Sequence, residues 1–227
     1  MAQAVKALVW DLDGTITDSF GMFVELMHEL APVFDLPLPS REIMLENYHG
    51  GLAESIQASL GGALSEPQLE DFVTKFLDKQ QGHYEVVETC LLEDALDLAK
   101  RATKLGLKQV IVTNRDHAGR GKASPRHIVS SSSLKEHIHE VICGDEAQGF
   151  RKPDPKVLGD LLERWGITPQ EVLVIGDQHV DAQLALNLGS KAVLVVRDGS
   201  EFAHAHKLDK NWQEHVTVVE SLKDVTI

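Results

Sequence analysis

Four short stretches carry residues that could share one piece of chemistry. The first, VWDLDGTITDS at 9–19, ends an apolar run on two carboxylates, Asp11 and Asp13. Strand side chains alternate, so residues two apart can share a face. Like charges held close repel, and loss of water penalises both. A metal ion, a shared proton or open solvent would each relieve that conflict. The second stretch, QVIVTN, ends on Thr113 and Asn114. The third, RKPDP, sets Lys152 ahead of Pro153 and Pro155. The fourth, VLVIGDQHVD, supplies Asp177 and Asp181.

Singly, each has an ordinary reading. An Asp pair can be a turn or a cap, Thr-Asn is common turn chemistry, a lone Lys is solvated, and Asp177 can N-cap a helix. Together they supply acids for a hard cation, a hydroxyl and an amide for oxygen atoms, and one ammonium for negative charge. Such a set would let an acidic chain accept a phosphate.

The elements that must position these groups are visible as short Val- and Ile-rich runs at 7–10, 109–114, 172–177, 192–196 and 216–221. Most lack alternation, as parallel strands covered on both faces do. Helical patterns lie between them at 93–106, 155–166 and 181–189, with Gly at the end of each and Pro155 opening the second. Strands alternating with helices predict an α/β fold with a parallel, doubly wound sheet. Ligands of such sheets bind beyond the carboxyl ends of the strands, where the first, second and fourth polar stretches fall.

Residues 17–90 are different: helix-periodic segments broken by Gly50-Gly51 and Gly61-Gly62, with few strand signals. They predict a small helical domain inserted after the first strand. The polar segment 117–133 reads as a mobile loop with a short helix. The chain has 227 residues, 43% hydrophobic and 25% charged, which is ordinary for a globular protein with a core. Its formal charge of -13 and lack of a Lys/Arg cluster argue against nucleic acid. Nothing resembles a secretory signal or a membrane helix. Cys90 and Cys143 form no metal-spaced cluster and read as reduced, small apolar residues in a cytoplasmic protein.

The order DLDGT, apolar-VTN, KPDP and GDQHVD, spanning essentially the whole chain, resembles the haloacid dehalogenase superfamily. The DGTITDS continuation and the helical insert resemble its members with an α-helical cap, the phosphoglycolate phosphatase and β-phosphoglucomutase group. The resemblance implies a Rossmann-like parallel-sheet core of residues 1–16 and 91–227, with a cap at 17–90. The 38 residues from Asn114 to Lys152 are too few for a second large cap. It also implies a Mg²⁺-dependent phosphatase of a small phosphorylated metabolite, as monomer or homodimer. A phosphosugar mutase is the alternative, and a non-catalytic binding or regulatory protein the alternative of another class. A dehalogenase is disfavoured, because Asp13 supplies an acid/base that chemistry does not need.

By position, the resemblance makes Asp11 the nucleophile and Asp13 the general acid and base. Thr113, with Gly14 and Thr15 near Asp13, would hold phosphoryl oxygens; Asn114 would orient nucleophile or substrate, and Lys152 would offset charge. Mg²⁺ would take the Asp11 carboxylate, the Asp13 carbonyl and Asp177, with Asp181 a ligand or its support. In ENYHGGLAESI, His49 and Gly50 would form a cap loop selecting substrate, or else a plain helix–helix turn. The pattern departs from relatives at Gln178-His179, with His179 expected to face solvent. The segment after Asn114 is also longer than expected.

Overall fold

The computed structural model describes residues 4–48, 51–197 and 212–227. The chain divides into two compact units, one from Met1–Thr17 with Leu91–Ile227, the other Asp18–Cys90. Strands β1 (Ala7–Trp10), β2 (Lys108–Val112), β3 (Glu140–Ile142), β4 (Val172–Gly176), β5 (Lys191–Val195) and β6 (Val216–Val219) form one sheet in the order β3-β2-β1-β4-β5-β6. Every pairing in it is parallel. The α-helices are α1 (Ser19–Leu30), α2 (Arg41–Asn47), α3 (Leu52–Ser59), α4 (Glu66–His83), α5 (Glu93–Lys104), α6 (Pro125–Ser130), α7 (Leu161–Trp165) and α8 (His179–Leu188). The first four make the second unit.

The central strands lack alternation because both faces are covered. Ala7 and Val9 of β1 join Val110, Val174 and Leu194 in a core that also takes Leu158 and Leu161 from the chain around α7, and Ala182 and Ala185 from α8. Trp10 belongs to the other face. Its indole N–H donates to the Gln109 amide oxygen Oε1 at 3.1 Å, and Gln109 Nε2 donates to the Ala99 carbonyl of α5 at 2.9 Å. Both polar side chains are fully buried and fully used. The order of strands makes β1 the place where connections diverge to β2 on one side and β4 on the other, the usual crevice for a ligand.

The structure differs from the sequence expectations in three places, and in a fourth it adds detail. Strand β3 was not anticipated, because it has three residues, opens on Glu140 and lies at a sheet edge only half-buried. The helix expected at 155–166 is two pieces, a 3-10 turn at Pro155–Leu158 and α7. Gly159 separates them with φ 51 and ψ -126, a backbone no helix contains. The segment 117–133 contains the short helix expected of it. It holds a 3-10 turn at Gly121–Ala123 and α6, with Ala123, Ile128 and Val129 buried. His179 is half-buried rather than solvent-facing.

In the helical unit, Asp18 caps α1 by accepting from Gly21 N at 2.8 Å. Phe23 packs on Tyr48 and Phe76, joining α1 to α4. Both cysteines are free thiols, and burial pushes the Cys143 thiol up to about 12. Among the described residues no helix is long and apolar enough to cross a membrane.

The start of β4 depends on Glu171. Its carboxylate accepts from Thr168 N at 2.9 Å and pairs with Lys6 at 2.6 Å. Lys6, helped by Thr168, holds the Glu171 carboxyl down to about 2. A depressed carboxyl adds stability that is present above its unfolded value near 4.5 and lost as pH falls through about 2. Glu171→Gln is therefore expected to flatten the fall of melting temperature between those two pH values. Parallel profiles for the two proteins would show that Glu171 contributes nothing to acid sensitivity.

Candidate active site

Three strand ends and one loop converge beyond the carboxyl edge of the sheet. Asp11 follows β1 directly, and its N–H still bonds to the Ile175 carbonyl of β4 at 2.8 Å. The strand geometry then stops. Leu12 O accepts from Ile16 N and from Thr17 N, each at 2.9 Å, so the chain turns back at once. Asp11 and Asp13 consequently meet different partners.

Asp11 is 8% exposed and meets the ammonium of Lys152, Nζ to Oδ1 at 2.5 Å. The same ammonium donates to Asp181 Oδ1 at 2.7 Å. Asp181 is fully buried in the first turn of α8, where its Oδ2 accepts from Gln178 N at 3.1 Å. It both caps that helix and holds Lys152. Asp177, just past β4, accepts from Thr15 Oγ1 at 2.9 Å. Carboxylate oxygens of Asp11, Asp177 and Asp181 all lie within 4.8 Å of one another.

One ammonium thus serves three crowded carboxylates. Burial raises the Asp11 carboxyl; Lys152 opposes that and Asp181 adds to it. Burial and then the negative charges of Asp11 and Asp181 raise Asp177 well above the ordinary carboxylate range. Burial alone would lower the Lys152 ammonium, yet Asp11 and Asp181 hold it above its usual range, so it stays charged. With all three carboxylates ionised, two negative charges would remain to be balanced. A hard divalent cation bound by carboxylate oxygens supplies that charge, so the donor set fits a metal.

The other anticipated residues stand behind this cluster. Asn114 holds the Lys152 backbone from both sides, accepting from Lys152 N at 2.9 Å and donating to Lys152 O at 3.1 Å. Its amide is therefore occupied in placing Lys152, the partner of Asp11. Thr15 is fully buried with its hydroxyl on Asp177. Gly14 donates its N–H to Thr17 O at 2.9 Å, and its carbonyl accepts from Arg197 Nη1 at 2.6 Å. Its φ of 80 suits glycine, and a Cβ there would collide with the Asp177 carboxylate. Gly14 and Thr15 thus shape the acid cluster. Thr113 is buried, and its Oγ1 accepts from Arg115 N at 3.0 Å while keeping its own O–H to donate. His49 and Gly50 lie outside the described residues.

Sequence reasoning missed three arginines. Arg115 pairs with the Asp13 carboxylate. Arg197 ties the Gly14 and Thr15 carbonyls to Asp94. Arg151 donates to Asn114 O at 2.5 Å and Asp116 Oδ1 at 2.6 Å, securing the loop after β2. Arg115 and Arg151 each adjoin an anticipated residue, Asn114 and Lys152, and that adjacency was the available signal. Arg197 carries none, since its partners are distant in sequence.

A family of haloacid dehalogenase-like hydrolases matches residues 5–189. The N-acetylmuramic acid 6-phosphate phosphatase of Pseudomonas aeruginosa is 28% identical over 214 residues, 94% of this chain and 90% of that protein. A phosphoglycolate phosphatase of Nitrosospira multiformis is 26% identical over 212 residues, covering 90% and 89%. The crystal structure of a predicted phosphoglycolate phosphatase from Haemophilus somnus superposes with a TM-score of 0.72 at 19% identity, over 99% and 97% of the two chains. That likeness is one of fold.

Proposed function

The chain belongs to the haloacid dehalogenase-like hydrolase family, and on that premise we propose that it is a Mg²⁺-dependent phosphatase hydrolysing a small-metabolite phosphomonoester through an aspartyl phosphate on Asp11. The observation that carries this reading is the charge imbalance of the cluster: three carboxylates and one ammonium within a buried space. Such a site favours a divalent cation and, beside it, a dianionic group. Two relatives are named for phosphate esters of small organic acids, which makes a phosphoglycolate-like or sugar-phosphate substrate the first choice.

In this mechanism Asp11 attacks phosphorus through a carboxylate oxygen. The ester P–O bond breaks, and its oxygen takes a proton from Asp13. Thr113 donates its hydroxyl to a phosphoryl oxygen. Lys152 keeps Asp11 oriented and offsets charge gathering around the phosphoryl group. Asp13, now a carboxylate, takes a proton from water as the water oxygen bonds to phosphorus and Asp11 departs. When bound, Mg²⁺ would lie among Asp11, the Asp13 carbonyl and Asp177, supplying Lewis-acid stabilisation of the phosphoryl charge. Asp181 supports that site through Lys152 and α8. The helical unit acts as the cap that selects the leaving group.

A panel of metabolite phosphates, assayed for free phosphate with and without chelator, tests the proposal. Phosphoglycolate and N-acetylmuramic acid 6-phosphate belong in it. Phosphoryl return to substrate without net phosphate release would identify a mutase instead. Asp177→Ala is expected to raise the Mg²⁺ concentration needed for half-maximal rate sharply, because it removes one carboxylate from a small ligand set. Full activity of the wild-type protein in excess chelator would remove the metal from the mechanism.

A further inference from the structure

We propose that Arg115 is the positioning residue for Asp13, a clamp that holds the acid/base carboxyl in the orientation proton transfer needs. This rests on the phosphatase reading above. The Arg115 side chain is 11% exposed and that of Asp13 is 24% exposed, and the guanidinium pairs with Asp13 Oδ1. Past the end of β1 the backbone around Asp13 turns, so strand geometry no longer sets the direction of its side chain. The clamp supplies the missing constraint.

Arg115 is itself unusually well anchored. Its N–H donates to Thr113 Oγ1 at 3.0 Å, and its carbonyl accepts from Gly144 N at 2.9 Å. Its Nη1 donates to the Ala123 carbonyl at 2.9 Å. Ala123 is fully buried and belongs to the 3-10 turn ahead of α6. The loop is secured on the other side as well, by Asp145 accepting from His117 N at 2.8 Å and Ala118 N at 2.9 Å. The segment after Asn114 thus supplies the carbonyl that stiffens the clamp. A guanidinium with a planar fork suits this role, since it can hold a carboxylate and a carbonyl at once.

The step served is the cleavage already balanced above. The ester oxygen takes the Asp13 proton as the P–O bond breaks, and the carboxylate recovers a proton from water. A basic leaving group needs that proton more than an acidic one. Loss of the clamp should therefore scale with leaving-group basicity, which a general loss of structure or of substrate binding would not do.

The experiment compares kcat/KM for phenyl phosphate and p-nitrophenyl phosphate. For Arg115→Ala the expected fall is on the order of 10–10²-fold with phenyl phosphate, as misplacement of a reacting group allows, and only a few-fold with p-nitrophenyl phosphate. In an Asp13→Asn background, removing Arg115 should cause no further loss. Arg115→Lys keeps a charge within reach of Asp13 and should recover part of the phenyl phosphate rate, with melting temperature checking the fold of every variant. Equal losses for the two esters, additive losses in the double variant, or no recovery by Lys would each overturn the clamp. If the wild-type protein releases phosphate from neither these esters nor any member of the metabolite panel, the phosphatase reading fails and the clamp with it, a result separate from the other three.

Discussion

Asp11→Asn is expected to abolish phosphate release while leaving the protein folded. The amide keeps the shape of the side chain but offers no carboxylate oxygen to attack phosphorus and is a poorer ligand for a cation. Removal of a nucleophile elsewhere costs on the order of 10⁶-fold in kcat, and a loss of that size lies below the floor of most assays. The fold should survive because burial and Asp181 already strain the ionised Asp11, while Lys152 retains Asp181 as a partner. The variant should therefore melt close to the wild-type protein. Near-wild-type phosphate release from a clean preparation would remove Asp11 from the mechanism.

Lys152→Met is expected to damage stability and activity together. The ammonium is 3% exposed and lies 2.5 Å from Asp11 and 2.7 Å from Asp181. Taking it away leaves buried carboxylates facing each other without their cation. Breaking a buried ion pair from one side costs about 3–5 kcal/mol, which for a chain of this size lowers the melting temperature by roughly 6–20 °C. Added Mg²⁺ should raise the melting temperature of the variant more than that of the wild-type protein, because the cation then supplies the only positive charge for the acids. Unchanged melting in chelator would mean that Asp11 and Asp181 do not depend on the ammonium. Retained turnover would remove Lys152 from the mechanism.

Much of the architecture was legible in the chain because it is written in local patterns. Apolar runs without alternation mark strands covered on both sides, and β1, β2, β4, β5 and β6 each fall within a residue or two of such a run. Strand β3 escaped because three half-buried residues led by Glu140 carry too little pattern. The break at Gly159 escaped for another reason. Glycine inside a helical pattern is usually tolerated, and only packing decided that this one takes a backbone no helix can use.

The acids, the threonine and the lysine could be picked out by residue type, since few chemistries need several aspartates and a hydroxyl at strand ends together with an ammonium from a loop. Their partners could not. That Lys152 bridges Asp11 and Asp181 follows from how Asn114 grips the backbone of Lys152, across 38 residues of chain. That Thr15 serves Asp177 joins positions 162 residues apart. Arg115 reaches Asp13 across 102 residues. By itself the sequence determined which groups are present and that strand ends would gather them, because residue type and hydrophobic period are local properties. Only the tertiary structure decided which charge answers which, because partnership depends on distance in space, and the sheet order that sets those distances is settled by the packing of the whole core.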